Sequence, residues 1–211
     1  MDLGALSSSF QRRFEGKTAA REKGLSAARR SIRSSANAIR AVHRGDFDLA
    51  HQLMEESRSA LQSGGEALEA HPDVLFAGFL QDAQKEYAEA RLTEAVVQGA
   101  ELPSPDDLGV QLAPYLNGMA ETIGEARRAI LDHLRRGELG ESERILTAME
   151  DMFSVLVSID FPDAITGNLR RSTDVARGIM ERTRGDLSIT LVQRNLQDAL
   201  ERHAREVLGD R

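Results

Sequence analysis

Cysteine is absent from the 211-residue chain, and so is tryptophan. The first absence excludes disulfides, thiolate metal sites and cysteine nucleophiles, and it makes a reducing cytoplasm the natural compartment. Aromatics are scarce at 4%. A sheet protein would draw more heavily on aromatic and β-branched side chains, so the Ala, Leu, Ile and Val at helical spacing point to an all-α bundle. No apolar run approaches the ~20 residues of a membrane span. Met1-Asp2-Leu3-Gly4-Ala5 does not lead a basic segment into an apolar one, so no signal peptide is expected there. Gly-x-x-x-x-Gly-Lys-Ser/Thr, Gly-x-Gly-x-x-Gly and Gly-x-Ser-x-Gly are missing too, which leaves nucleotide-loop and serine-hydrolase chemistry without support.

What is present is charge, unevenly placed. The formal net charge is −7, but residues 11–44 hold ten basic groups against Glu15 and Glu22, a local balance of +8. Residues 45–211 hold 17 basic and 31 acidic groups, a balance of −14. A basic first helix on an acidic body can bind a polyanion locally, and it can equally be a solvated face paired with neighbouring acids.

Periodicity and break signals predict seven helices and no strand in one domain spanning 1–211. The first covers about 5–44 and is stopped at Gly45-Asp46, with Asp46 as N-cap of the second, Phe47 to Glu69. Gly64-Gly65 should weaken or kink that helix. His71-Pro72-Asp73 opens the third, which is expected to continue unbroken to about Ala100, and the prolines of 101–109 make a loop. The fourth runs from near Pro114 to Arg136 and the fifth from Leu139 to Ser158. The sixth spans Asp163 to Arg184, with a weak point at Thr166-Gly167. Gly185-Asp186 then reads as a second stop and cap before a seventh helix, whose Leu187, Leu191, Leu196, Leu200 and Val207 suit a core or subunit interface.

The candidate chemistry lies in two acidic pairs. Glu86 and Glu89 are three apart on the third helix, and Glu121 and Glu125 are four apart on the fourth. Each pair projects from one helix face, with Cβ atoms about 5–6 Å apart. Leu75, Phe79, Glu86 and Ala90 fall within roughly 40° of one line, which places Glu86 on an apolar stripe expected to be buried. A buried acid requires a cation, a proton or a hydrogen-bond partner. If the third and fourth helices are antiparallel neighbours, the pairs can face each other, and all-carboxylate ligation suits hard cations such as Mg²⁺ or Mn²⁺. With 34 acidic residues, such spacings also arise by chance, and Glu121 and Glu125 share their line with Gly118 and Asp132, as on an ordinary polar face. The histidines offer less. Asp48-x-x-His51 lacks the second Glu-x-x-His of a ferritin-like di-iron site, and His43, His71, His133 and His203 read as surface or helix-end residues.

Four stretches resemble the translin/Trax family, in that family's order and over nearly the whole chain. They are Ala38-Ile-Arg-Ala-Val-His-Arg-Gly-Asp-Phe47 and Phe79-Leu-Gln-Asp-Ala-Gln-Lys-Glu-Tyr-Ala-Glu-Ala90, the latter similar to a Trax stretch with Gln-Glu-Tyr-Val-Glu-Ala. The third is Asp106-Asp-Leu-Gly109 leading to Tyr115-Leu-Asn-Gly-Met-Ala-Glu-Thr-Ile-Gly-Glu-Ala-Arg-Arg128, and the fourth is Asn168-Leu-Arg-Arg-Ser-Thr-Asp-Val-Ala-Arg-Gly-Ile-Met-Glu181. The likeness is greatest to archaeal Trax-like members and implies the family's seven-helix fold. In Trax-like subunits four carboxylates bind Mg²⁺ and cleave single-stranded RNA, whereas translin subunits lack the full set and mainly bind nucleic acid. Glu86, Glu89 and Glu125 fall on Trax glutamates, and Glu121 falls where Trax has aspartate, one methylene shorter.

The resemblance therefore implies a catalytic, metal-binding set of Glu86, Glu89, Glu121 and Glu125 in a Mg²⁺-dependent endoribonuclease, with Mn²⁺ as the alternative ion. It also implies a closed homo-octameric shell with active sites facing inward. Arg29, Arg30, Arg33 and Arg40, with Arg170, Arg171 and Arg177, are the candidates for the RNA backbone. Few aromatics are available for stacking, so phosphate contacts should dominate. Two other readings stand beside the nuclease. One is a translin-like binder of single-stranded RNA or DNA without turnover, and the other is a helical bundle whose acids are merely solvated.

Overall fold

The computed structural model describes residues 2–208, all α-helix and connections, without a strand among the described residues. Six long helices carry the architecture: α1 (Leu3–His43), α2 (Phe47–Leu68), α4 (Phe79–Gln98), α6 (Leu112–Arg135), α7 (Leu139–Ser158) and α9 (Leu169–Leu208). Three single turns, α3 (Pro72–Leu75), α5 (Pro105–Leu108) and α8 (Asp163–Thr166), lie in the connections. The core runs between α1, α4, α6 and α7, with Val42, Tyr87, Leu92, Ile123, Ile130, Ile145, Met149 and Leu156 fully enclosed.

α1 and α2 form the first hairpin. Asp46 ends the turn between them as expected, its side chain accepting from the Leu49 amide. The facing residues are small: Ala27, Ser31, Ser35 and Ala38 on α1 meet Ser57, Ala60 and Gly64 on α2. Small side chains let the helices approach closely, and the buried hydroxyls then have to bond one another. Ser57 Oγ does so with Ser31 Oγ at 2.7 Å and Ser35 Oγ at 2.8 Å. α2 continues unbroken through Gly64 and Gly65. The missing side chain of Gly64 leaves room for Ala27 and Leu80, whose carbons lie 3.1 Å from where a Cβ would stand.

Three expected boundaries are corrected. The predicted third helix is interrupted after Leu75, because Gly78 adopts φ 105° and α4 starts afresh at Phe79. Gln81 fastens this break, accepting from the Gly78 amide and donating to the Leu75 carbonyl. Conversely, Gly185-Asp186 is no stop. α9 continues through both residues, and Asp186 forms an ion pair at 2.8 Å with Arg127 of α6 instead of capping a helix. The weak point at Thr166-Gly167 is a full break, with Gly167 and Asn168 both at positive φ before α9 begins.

Both outer helix ends carry unburied apolar stripes. Leu3, Leu6, Phe10 and Phe14 are exposed on α1, ahead of its first buried residue, Gly24. On α9, Leu187 is buried and Leu191 half-buried, whereas Ile189, Val192, Leu196 and Leu200 are exposed. The Val207 side chain lies outside the described residues. No helix among the described residues is long and apolar enough to cross a membrane.

Candidate metal centre

The acids meet because α4 and α6 touch along their backbones. Gly118 of α6 makes this contact, and a Cβ there would stand 2.7 Å from the Lys85 carbonyl oxygen and 3.0 Å from the Glu89 amide nitrogen. Thr122, one turn on, buries its hydroxyl in the same seam and donates to the Gly118 carbonyl at 2.9 Å. At the far end, Arg144 of α7 donates from both terminal nitrogens, at 2.9 Å each, to the carbonyls of Val96 and Val97, which closes the C-terminus of α4. Asn117 anchors α6 on its other side, donating to the Thr166 carbonyl at 2.8 Å and accepting from Ser172 of α9 at 2.8 Å.

In this frame Glu86, Glu89 and Glu121 converge, each offering a carboxylate oxygen within 4.8 Å of the others. Glu89, not Glu86, is the buried member, at 9% exposure. The apolar line expected to enclose Glu86 was phased on Leu75 and Phe79, but Leu75 lies beyond the Gly78 break and Glu86 is half-buried. Burial, reinforced by the negative charges of Glu121, Glu86 and Glu125, pushes the Glu89 carboxyl up to about 8, against an ordinary glutamate value of 4.5.

The fourth acid stands slightly apart. Glu125 is not in the close cluster, and its Oε2 accepts from His43 Nε2 of α1 at 2.5 Å. That hydrogen bond, against the cost of burial and with help from the charges of His43 and Arg128, holds the Glu125 carboxyl below the usual range. His43 is therefore no surface residue. Its side chain is 4% exposed, and its partner comes from a helix 82 positions away.

Lys85 completes the centre. Its Nζ donates to both Glu121 oxygens, at 2.6 and 2.7 Å, and lies 3.2 Å from Glu86 Oε1. Burial acts to lower the Lys85 ammonium, but Glu121 and Glu86 outweigh it and leave the group raised. The signal for Lys85 and His43 was present in the sequence only as their place inside two of the family-like stretches. Periodicity does not reveal either partner.

The donor set fits a hard divalent ion. Three carboxylates converge, one of them buried and short of positive charge, and no softer ligand is among them. Glu86, Glu89 and Glu121 are the residues that would hold such an ion.

The candidate arginines lie on two surfaces. Arg29, Arg30, Arg33 and Arg40 are exposed on α1, and all but Arg30 fall within about 40° of one line. Arg40 donates to Asn37 Oδ1 at 2.7 Å. Arg170, Arg171 and Arg177 are exposed on α9, where Arg170 stands 3.9 Å from Asp160 and Arg177 lies over the Phe153 ring at 5.3 Å. Among the described residues Arg29, Arg30, Arg33 and Arg171 form no ion pair within 4.0 Å.

No family profile matches the chain. An uncharacterized protein of Methanocaldococcus jannaschii is 31% identical over 189 residues, which cover 88% of this chain and 83% of that protein. Among solved structures, the AfC3PO–duplex RNA complex superposes with a TM-score of 0.82 at 33% identity, over 89% of this chain and 97% of that one. The AfC3PO crystal structure gives the same TM-score and coverage at 32% identity. Apo-NeC3PO, at 22% identity and a TM-score of 0.76, shares the fold over 90% of this chain and 97% of that one. These relatives, matched along almost their whole length and carrying the same all-α architecture, show that the chain belongs to the translin/Trax family.

Proposed function

We propose that the protein is a metal-dependent endoribonuclease that cleaves single-stranded RNA, a Trax-like subunit working within a closed oligomeric shell. The observation that carries this reading is the convergence of Glu86, Glu89 and Glu121 on one point with Glu89 buried among them. A protein that only bound RNA would have no use for carboxylates gathered in this way, because converging acids attract cations and repel phosphates.

Glu86, Glu89 and Glu121 would hold Mg²⁺ or Mn²⁺, and Glu125 completes the acidic set with Oε1, which accepts no hydrogen bond among the described residues. A bound ion of this kind activates water for attack on the phosphodiester and offsets charge on the leaving oxygen. Glu89 is the carboxyl that must give up a proton for the ion to settle. His43 fixes the orientation of Glu125 at the rim. The exposed arginines of α1 and α9 supply the RNA-backbone contacts, which makes binding salt-sensitive and weakly sequence-selective. That AfC3PO is described in complex with duplex RNA supports RNA as the polymer bound here. The exposed apolar stripes at the ends of α1 and α9 support assembly into a larger body, a homo-octamer on the family resemblance.

The second reading is a translin-like binder of single-stranded RNA or DNA without turnover. It is favoured by one observation: Lys85 engages both oxygens of Glu121. Glu86→Ala separates the readings. The nuclease reading expects cleavage of a labelled single-stranded RNA to fall at least 100-fold while binding, read by gel shift in EDTA, is kept. Undetectable cleavage by wild type, with binding intact, would leave the binder.

A further inference from the structure

We infer that Lys85 is an internal cation that holds the carboxylate cluster together until a divalent ion displaces it, an inference that rests on the metal-site reading above. Two of the three converging carboxylates meet this one side chain, Glu121 through both oxygens and Glu86 through Oε1. Glu89, the third, has no contact with the Lys85 ammonium within 4.0 Å. The Lys85 side chain is 24% exposed, so the arrangement is screened less than a surface ion pair.

A cation coordinated by Glu121 needs an oxygen that Lys85 now engages, because the ammonium takes both, and at Glu86 it competes for Oε1. Its double positive charge beside an ammonium also brings strong repulsion at contact distance. The two occupants are therefore mutually exclusive, and metal affinity carries the cost of expelling the lysine. Expulsion is open to this residue, because a lysine head sits on a flexible four-carbon stem and can turn out to water. In the absence of metal, Lys85 offsets the repulsion among carboxylates that α4 and α6 force together. In its presence, an ammonium is released at the rim of the centre.

The test is Mn²⁺ binding by calorimetry to EDTA-stripped full-length protein without RNA, so that activity plays no part. Wild type is compared with Lys85→Met and Lys85→Gln, and Glu89→Gln serves as the variant that loses the site. Both lysine variants should bind Mn²⁺ about tenfold more tightly, a change equivalent to ~1.4 kcal/mol. Their metal-free melting temperature should fall while the gain on saturation with Mn²⁺ grows. Unchanged or weaker Mn²⁺ binding in both, with wild-type binding that vanishes in Glu89→Gln, overturns displacement and leaves the metal site standing. Absence of Mn²⁺ binding in wild type overturns both. Should the variants fold poorly, the ¹⁵Nζ resonance of Lys85 in wild type decides the matter under Mg²⁺ titration. Displacement requires it to move with occupancy to the position of a solvated lysine, and a resonance that stays fixed at saturation refutes it.

Discussion

Replacing Glu89 by glutamine should make the metal-free protein more stable, by an amount that depends on pH. The Glu89 carboxyl has its proton held to about 8 in the fold and to about 4.5 when the chain unfolds. Below 4.5 both states are protonated and the residue imposes no penalty. As pH rises the unfolded chain ionises first, so stability falls by up to ~1.4 kcal/mol per pH unit until the folded state also releases its proton. The loss is about 2 kcal/mol at pH 6, about 3 kcal/mol at pH 7 and roughly 4–5 kcal/mol above pH 8.5. Glutamine keeps the shape and has no charge to bury, so the penalty disappears. Urea unfolding of both proteins in EDTA at half-unit steps from pH 4.5 to 9 reads the effect as a difference, in which the titration of all other groups largely cancels. The variant should match wild type near pH 4.5 and exceed it by several kcal/mol at pH 8.5. A difference that stays flat across this range would falsify the burial argument for Glu89.

The same proton links metal binding to pH. At pH 7 most Glu89 side chains carry it, so loading with Mn²⁺ should release close to one proton per ion, measured by calorimetry in two buffers of different ionisation enthalpy. Release near zero at pH 7 contradicts Glu89 as a ligand. Gly118→Ala would press a Cβ against the α4 backbone and should cost about 1–3 kcal/mol in urea unfolding. Its loss of Mn²⁺ affinity should be larger in proportion, because Glu121 moves away from Glu89 with the helix. Removing Arg29 and Arg33 together should weaken single-stranded RNA binding and lower the salt slope by about 1.4 if each meets one phosphate. An unchanged slope in filter binding places the RNA elsewhere.

The acids were legible as spacings of three and four, but their burial was not. The error at Glu86 came from extending one helical phase across Gly78, where the backbone turns to φ 105° and the count restarts. The Gly-Asp pairs at 45–46 and 185–186 show the same limit from the other side. Gly45 adopts φ 74° and Asp46 caps α2, whereas Gly185 stays within α9 and Asp186 is claimed by Arg127. Identical dipeptides take opposite roles, and the partner that engages Asp186 lies on another helix. His43 and Lys85 were hidden for that reason too. Each bonds a glutamate of α6, 82 and 36 positions away, and no local pattern encodes such a partner. The all-α class needed no such information, since composition and period already carry it.

The central claim is that the carboxylate cluster cuts RNA with a divalent ion. It is tested most directly by incubating a short fluorescently labelled single-stranded RNA with wild type and with Glu89→Ala, each in Mg²⁺ and in EDTA. The account predicts product only from wild type in Mg²⁺, and a folded, RNA-binding but inactive Glu89→Ala. Equal cleavage by both proteins, or cleavage by wild type that persists in EDTA, would contradict it.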